Sequence, residues 1–246
     1  MGLSNKTPMK LATTAIFTAL VAVATIVFSI YVPSTQGFFN IGESMIYLTA
    51  ILYGPIIGGF AGGVGSMFAD LYLGYAIYAP ATLVVKAVEG FVVGFIMRKK
   101  PDLSADTWKK YSIMLGVIPG LFLALIGSMY YSGEVEIYLL ESMYIISVSS
   151  VLWVLAGILL AAIVIGLSYK VEPDYGWTVI SVIAGGICMV SGYFLYQQFL
   201  IGPLFNVQGI VAIAEVPINF GQVLVGTILA LPLSQIIKRT IPSMLK

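Results

Sequence analysis

The chain has 246 residues, of which 59% are hydrophobic and only 9% charged, and its formal net charge is +1. Because soluble domains carry about 25% charged residues, this composition indicates an integral membrane protein, and the small net charge argues against nucleic acid as a partner. One cysteine and no histidine exclude an internal disulfide, a cysteine-based metal cluster, haem ligation by histidine and Ser-His catalysis.

Eight apolar stretches predict an all-α membrane protein, a helical bundle of about eight transmembrane helices. The first is interpreted as a retained helix, since its apolar core exceeds the length of about 7–15 residues usual in signal peptides. The second is short and ends at Gly54-Pro55, a turn signal that predicts a hairpin with the third. Pro217 and Pro232 predict a kink or break in the last. The predicted spans are 10–31, 41–54, 56–77, 79–97, 111–130, 143–168, 176–199 and 208–237.

The basic residues predict the orientation of these spans. All but one of the twelve Lys and Arg residues lie at the termini or in alternate loops, which eight spans bring to one side. The positive-inside rule makes that side cytoplasmic, so both termini are expected there. The loops 32–40, 131–142 and 200–207 contain no basic residue and are expected outside. Lys86, inside a predicted helix, is the exception.

Charged residues inside the predicted spans are the strongest functional signal. A charge at the bilayer centre costs about 2.5–3.5 kcal/mol even on the lenient insertion scale, so it usually faces a cavity or a partner. From a rise of about 1.5 Å per residue, all these residues lie in the outer half of the membrane or near its midplane. This asymmetry predicts a pocket open to the outside rather than a pore. The residues are Asp70, Lys86, Glu89 and Glu215, with Glu43 at the mouth of the second helix.

Helical phase supports the same prediction, because residues at i, i+4, i+7 and i+11 share a face. Alternatively, these groups only hydrogen-bond to one another and hold the helices together, but four convergent stripes exceed what packing requires. The stripes are Gly59, Gly63, Ser66 and Asp70 on the third helix, Tyr78, Thr82, Lys86 and Glu89 on the fourth, Tyr193 and Gln197 on the seventh, and Glu215, Asn219, Gln222 and Gly226 on the eighth.

Small residues at four-residue spacing occur on two helices. The glycines from Gly58 to Gly65 make overlapping small-xxx-small patterns, which predict close helix packing within the bundle. Ala15 and Ala19 give the same spacing on the first helix. Taken alone, that alanine pair predicts packing against another helix of the same chain.

Several short motifs occur in a fixed order along the chain. They are Phe39-Asn40-Ile41-Gly42-Glu43, Tyr53-Gly54-Pro55-Ile56-Ile57-Gly58-Gly59, Ala69-Asp70-Leu71, Tyr78-Ala79-Pro80-Ala81-Thr82, Lys86-Ala87-Val88-Glu89-Gly90, Gly192-Tyr193-Phe194, and Glu215-Val216-Pro217-Ile218-Asn219 with Gln222. This set resembles the substrate-binding S components of energy-coupling factor (ECF) vitamin transporters, and most of all the riboflavin-type branch. The resemblance covers about 10–100 and 176–240.

The resemblance implies a high-affinity binder of a vitamin-like molecule in the plasma membrane of a prokaryote. Such proteins dock on a membrane coupling subunit driven by two cytoplasmic ATPases. In that family an Ala-xxx-Ala on the first helix contacts the coupling subunit, which maps here onto Ala15 and Ala19. Because S components usually have six helices, we interpret 101–175 as an inserted transmembrane hairpin between 1–100, with four core helices, and 176–246, with two.

Other classes of function fit less well. The chain has no G-x-x-x-x-G-K-[ST] motif for ATP hydrolysis and no second intramembrane Asp beside Asp70 for an aspartyl dyad, so we expect no enzyme activity. The main alternative is a stand-alone ion-coupled secondary transporter, with Lys86 and the carboxylates as a proton relay. That alternative predicts a polar path to the cytoplasm, which the sequence does not show.

The composition of the predicted pocket bounds the ligand. Four carboxylates against one cation would repel an anion unless the acids are protonated or paired. Tyr72, Tyr75, Tyr78 and Tyr193 offer flat surfaces for an aromatic ring. We therefore expect a neutral or cationic heteroaromatic ligand, a flavin first and a pyrimidine or thiamine-like compound next, with no metal and no cofactor. The predicted contacts are Asn40, Glu43, Asp70, Tyr78, Thr82, Lys86, Glu89, Tyr193, Glu215, Asn219 and Gln222.

Overall fold

The computed structural model describes residues 6–32, 37–101, 104–130, 132–139, 142–168, 173–205 and 210–241. Helices dominate these ranges, which confirms the all-α prediction. The helices are α1 (Lys6–Val27), α2 (Gly42–Tyr53), α3 (Pro55–Leu73), α4 (Ala79–Arg98), α5 (Ala105–Tyr130), α6 (Ser150–Ser168), α7 (Pro173–Tyr196), α8 (Gly202–Phe205) and α9 (Ile210–Thr240), with a π-helical segment, Gln197–Ile201, between α7 and α8.

Two short antiparallel hairpins accompany the helices. Strand β1 (Ile30–Val32) pairs with β2 (Gly37–Phe39), and Ile30 lies opposite Phe39. Strand β3 (Gly133–Leu139) pairs with β4 (Ser142–Val148), and Gly133 lies opposite Val148.

The chain divides into two compact units. The first comprises 1–100 and 177–246, and the second comprises 101–176. The first unit therefore contains α1 to α4, nearly all of α7, and α9. The second contains α5, α6 and the β3–β4 hairpin.

Glycines bring the helices of the first unit into close contact. A Cβ at Gly58 would collide with Ala50 of α2, and one at Gly90 would collide with the backbone of Gly58, so α3 and α4 meet backbone to backbone. On another face of α3, a Cβ at Gly65 would meet the backbone of Thr18 in α1. Helices in lipid associate through such small-residue contacts, as the spacing predicted.

A single residue joins α2 to α3. Gly54 has φ +84°, a left-handed value that glycine adopts without strain, and Pro55 is the first residue of α3. The hairpin predicted from Gly54-Pro55 is confirmed.

The predicted number of about eight transmembrane helices is approximate. Six described helical stretches are long and apolar enough to cross a membrane, Ser150–Ile163 is a shorter apolar helix, and α2 has only 12 residues. The predicted span 143–168 is wrong at its start, because residues up to Val148 form β4 and only α6 is helical. Hydropathy alone does not separate an apolar strand from a helix, and this run is rich in β-branched and aromatic residues.

The break expected in the last span does not occur. Helix α9 continues through both Pro217 and Pro232. Each proline removes one backbone hydrogen bond, but helices in membranes accommodate this when neighbouring groups satisfy the freed carbonyl.

Candidate ligand-binding site

A cavity lies in the first unit, where α3 and α7 end and α4 and α9 begin. It contains about 450 Å³ of space, part of which is open solvent. It is lined by Gly37, Phe38, Asn40, Asp70, Tyr75, Tyr78, Thr82, Lys86, Tyr193, Gln197, Glu215, Asn219 and Gln222.

The cavity brings together most of the residues predicted from sequence. Glu43 and Glu89 are the exceptions, because they do not line the cavity and instead contact the Lys86 ammonium, which does. Tyr72, proposed as a flat surface for a ring, is 77% exposed and does not line the cavity. The predicted residues that line it are Asn40, Asp70, Tyr78, Thr82, Lys86, Tyr193, Glu215, Asn219 and Gln222.

A buried ion cluster forms the base of the cavity. The Lys86 ammonium donates to Glu43 and lies 3.3 Å from Glu89 Oε2, and all three side chains are almost completely buried. The Tyr47 hydroxyl donates to Glu89 Oε1 at 2.7 Å. Desolvation of a buried charge is offset only when partners of this kind are in place. The Lys86 Nζ also lies 5.5 Å from the centre of the Tyr193 ring, which places the cation at the cavity wall.

Three side-chain amides form a hydrogen-bonded chain along another wall. Asn40 Oδ1 accepts from the backbone N–H of Gly42 at 2.8 Å, and Asn40 Nδ2 donates to Gln222 Oε1 at 2.6 Å. Gln222 Nε2 then donates to Asn219 Oδ1 at 3.1 Å. Because the N–H of Gly42, at the start of α2, has no acceptor within the helix, it fixes the direction of every amide in the chain. The Asn219 amide nitrogen is therefore the donor at the end of the chain.

A second chain runs through hydroxyl groups. The Tyr193 hydroxyl donates to Thr82 Oγ1 at 2.9 Å, and the Thr82 side chain hydrogen-bonds to Asp70. A carboxylate only accepts, so the Thr82 hydroxyl is the donor to Asp70. Residues from α7, α4 and α3 are thereby held in one arrangement.

The list of predicted contacts omitted Gly37, Phe38, Tyr75 and Gln197. Phe38 packs on Tyr75, with 4.8 Å between ring centres. Burial raises the pKa of the phenols of Tyr75 and Tyr78, so both remain neutral near pH 7. Helical spacing from Tyr193 pointed to Gln197, whereas no sequence pattern distinguished the strand residues Gly37 and Phe38 within a loop.

The ends of the helices away from the cavity carry basic residues. Helix α4 begins at the cavity and ends at Arg98, followed by Lys99, and α9 has Lys238 and Arg239 in its last turn. The cavity and the basic residues therefore occupy opposite ends of the same helices.

Ala15 and Ala19 lie on an exposed part of α1, beside Ile16 and Leu20, which are 58% and 41% exposed. The packing of this alanine pair within the chain, expected from spacing alone, is not what the structure shows.

Comparisons with known proteins include a family model and a similar protein. The family model described as "ECF-type riboflavin transporter, S component" matches residues 5–172. A protein of Pyrococcus woesei described as "Uncharacterized protein in gap 3'region" is 42% identical over 107 residues, which are 44% of this chain and 67% of that protein.

Proposed function

The chain belongs to the family of ECF-type riboflavin transporter S components, and from that premise we propose that it captures a neutral or cationic heteroaromatic micronutrient, riboflavin first among them, from outside the cell. The family is one of membrane substrate-binding subunits of transporters, not of enzymes. Its members associate with an ECF coupling module and ATPases.

One observation carries the proposal of a ligand site. Polar side chains from β2, α3, α4, α7 and α9 converge on one cavity, at the end of α4 and α9 opposite to the basic residues. Because basic residues favour the cytoplasmic side, this arrangement supports an outward-facing pocket and cytoplasmic termini. Rings such as Tyr78 and Tyr193 suit a flat ligand, and the amides of Asn219 and Gln222 suit its hydrogen-bonding edge.

The ligand is tested first by identifying what the protein retains. The protein is purified in mild detergent and the released small molecules are identified by mass spectrometry, followed by titration with riboflavin and with thiamine. Tight binding of riboflavin supports the proposal. Failure to bind any heteroaromatic compound would contradict it.

We further propose that the exposed Ala15–Ala19 face of α1 docks on the coupling subunit. Replacing either alanine with Trp should abolish uptake by the complete transporter while ligand binding in detergent stays within about twofold, because the cavity is formed by other elements. Ala162→Trp is the matched control, since Ala162 is also an exposed alanine, on α6. An equal loss of uptake in the Ala162→Trp control would contradict the assignment of the Ala15–Ala19 face to docking.

The proposed orientation has its own test. Cysteines introduced at Ile137 and Leu204 should react with an impermeant thiol reagent in intact cells, and one introduced at Ser104 should not. The native Cys188 lies within α7 and should remain silent. The reverse labelling pattern would invert the topology.

A secondary transporter remains the second candidate, because the buried cluster of Lys86, Glu43 and Glu89 combines a cation with carboxyl groups that could exchange a proton. Proteoliposomes containing this protein alone separate the two. We expect ligand binding without concentrative uptake, and robust uptake driven by an imposed ion gradient would overturn the S-component mechanism.

A further inference from the structure

Within the described part of the chain, the side-chain oxygens that are buried at the cavity without a hydrogen bond include Asp70 Oδ2 and Gln197 Oε1, and these two residues are only 4% and 6% exposed. Both residues line the cavity. A buried acceptor without a donor is destabilising, and such groups in native proteins call for an explanation.

The neighbours of Asp70 leave only this one oxygen unused. Thr82 donates to the Asp70 carboxylate, and the Thr82 oxygen in turn accepts from Tyr193. The threonine hydroxyl has a single hydrogen, so it cannot serve both carboxylate oxygens. Asp70 is therefore held in place through one oxygen while the other remains available.

The neighbours of Gln197 orient its amide in the same way. The Gln197 side chain hydrogen-bonds to Tyr78, and because its amide oxygen has no partner, the amide nitrogen makes this bond by donating to the phenol oxygen. The amide oxygen then points elsewhere and finds no donor. Gln197 is also the first residue of the π-helical segment, a type of distortion that often occurs at functional sites.

We propose, on the basis of the proposed function, that Asp70 and Gln197 form a paired-acceptor subsite which selects ligands carrying N–H or O–H donors, and that Gln197 is a specificity-determining residue. The ligand class is a heteroaromatic compound with a ring N–H, an amino group or hydroxyls on a side chain. Both oxygens are buried at the wall of the cavity. Donors on the ligand then replace the missing hydrogen bonds.

The first test measures the empty protein and needs no ligand. Gln197→Leu removes an unpaired buried acceptor, and half-buried Tyr78 can bond to water instead. The melting temperature of the ligand-free protein should rise, by about 2–4 °C. The matched control is Gln198→Leu, the same change at the adjacent residue, which does not line the cavity. If Gln197 has only a structural role, its replacement should lower the melting temperature. A lower melting temperature for Gln197→Leu therefore overturns the proposal.

The second test measures specificity. The probes are riboflavin and its tetra-acetylated, N3-methylated derivative, which keeps the ring system but has no N–H or O–H donor. The wild-type protein should prefer riboflavin, and Gln197→Leu should reduce that preference by about tenfold, while Gln198→Leu leaves it unchanged. An unchanged preference in Gln197→Leu overturns the proposal. If the wild-type protein binds neither flavin, the proposed ligand is wrong, and the melting temperature still decides the subsite.

Discussion

Two helix pairs use the same packing device and differ in what they bury. Helices α3 and α4 approach at Gly58 and Gly90, and helices α5 and α6 approach at Gly120 and Gly157. A Cβ on Gly90, Gly120 or Gly157 would collide with the facing glycine. The described buried residues of α5 and α6 include no charged side chain, whereas α3 and α4 bury Asp70, Lys86 and Glu89. Close packing therefore does not require buried charge, and the charges of the first pair need another explanation.

The two helix pairs should differ most in the stability that they lose when a lysine is replaced, because of these two pairs only α3 and α4 bury charged side chains among the described residues. Lys86→Met leaves the buried carboxylates of Glu43 and Glu89 without their cation, at a cost of about 3–5 kcal/mol in the free energy of unfolding. The control in the second pair is Lys109→Met, since the exposed ion pair of Lys109 with Asp106 contributes little. Thermal unfolding in detergent measures both.

Glu43→Gln added to Lys86→Met should recover part of the loss, because one uncompensated carboxylate is removed. Equal melting temperatures for wild type and Lys86→Met would show that the cluster is not an ion pair in the membrane protein.

Substitutions at the glycine contacts should lower stability in both helix pairs but should weaken ligand binding in only one. Gly90→Ala and Gly157→Ala each force two backbones apart, and each should lower the free energy of unfolding by about 1–3 kcal/mol. Only Gly90→Ala should also weaken ligand binding, because α3 and α4 hold the cavity. Melting curves with and without ligand give both quantities. Equal losses of affinity in the two variants would mean that binding depends on the second unit as well.

The smallest expected contrast concerns single hydroxyl groups. Tyr193→Phe removes the donor to Thr82 and should cost about 0.5–1.5 kcal/mol, with ligand affinity falling severalfold as Asp70 loses its fixed orientation. Tyr111→Phe on α5, where the side chain is 41% exposed, is the control and should change neither quantity measurably. Titration of both variants in parallel is the measurement, and a loss confined to Tyr111→Phe would contradict the assignment.

Sequence was sufficient for the features that depend on composition and helical period. The sequence places Asp70, Lys86 and Asn219 each on a polar face of its own helix. The structure brings these three residues to one cavity. The period works because residues three and four apart lie together on any helix, whatever its neighbours. The role of these residues as ligand contacts stays a prediction.

Features that depend on tertiary contact were not predictable. The sequence predicts Glu43 as a ligand contact, yet Glu43 on α2 contacts Lys86 on α4, because helical phase does not show which charge of another helix a residue meets. The contact of Glu89 with Lys86, three residues apart on the same helix, is by contrast one that spacing allows. Gly37 and Phe38 reach the cavity only through the pairing of β2 with β1, a contact set by the fold of a loop. The strand at Ser142–Val148 was missed because hydropathy does not distinguish apolar strands from apolar helices.

The short helix α2 determines the depth at which the Lys86 cluster lies along the longer helix α4. Helix α4, with 20 residues, matches a hydrocarbon core of about 30 Å, whereas the 12 residues of α2 span only about 18 Å. The two helices end side by side, where Arg98 donates to the carbonyl of Tyr53 at 3.1 Å. The other end of α2 therefore lies about 12 Å short of the far end of α4, at the level of the Lys86 cluster. In the proposed transporter, a ligand resting on this cluster would therefore already lie well within the length of the spanning helices while the chain acts as a binding subunit alone.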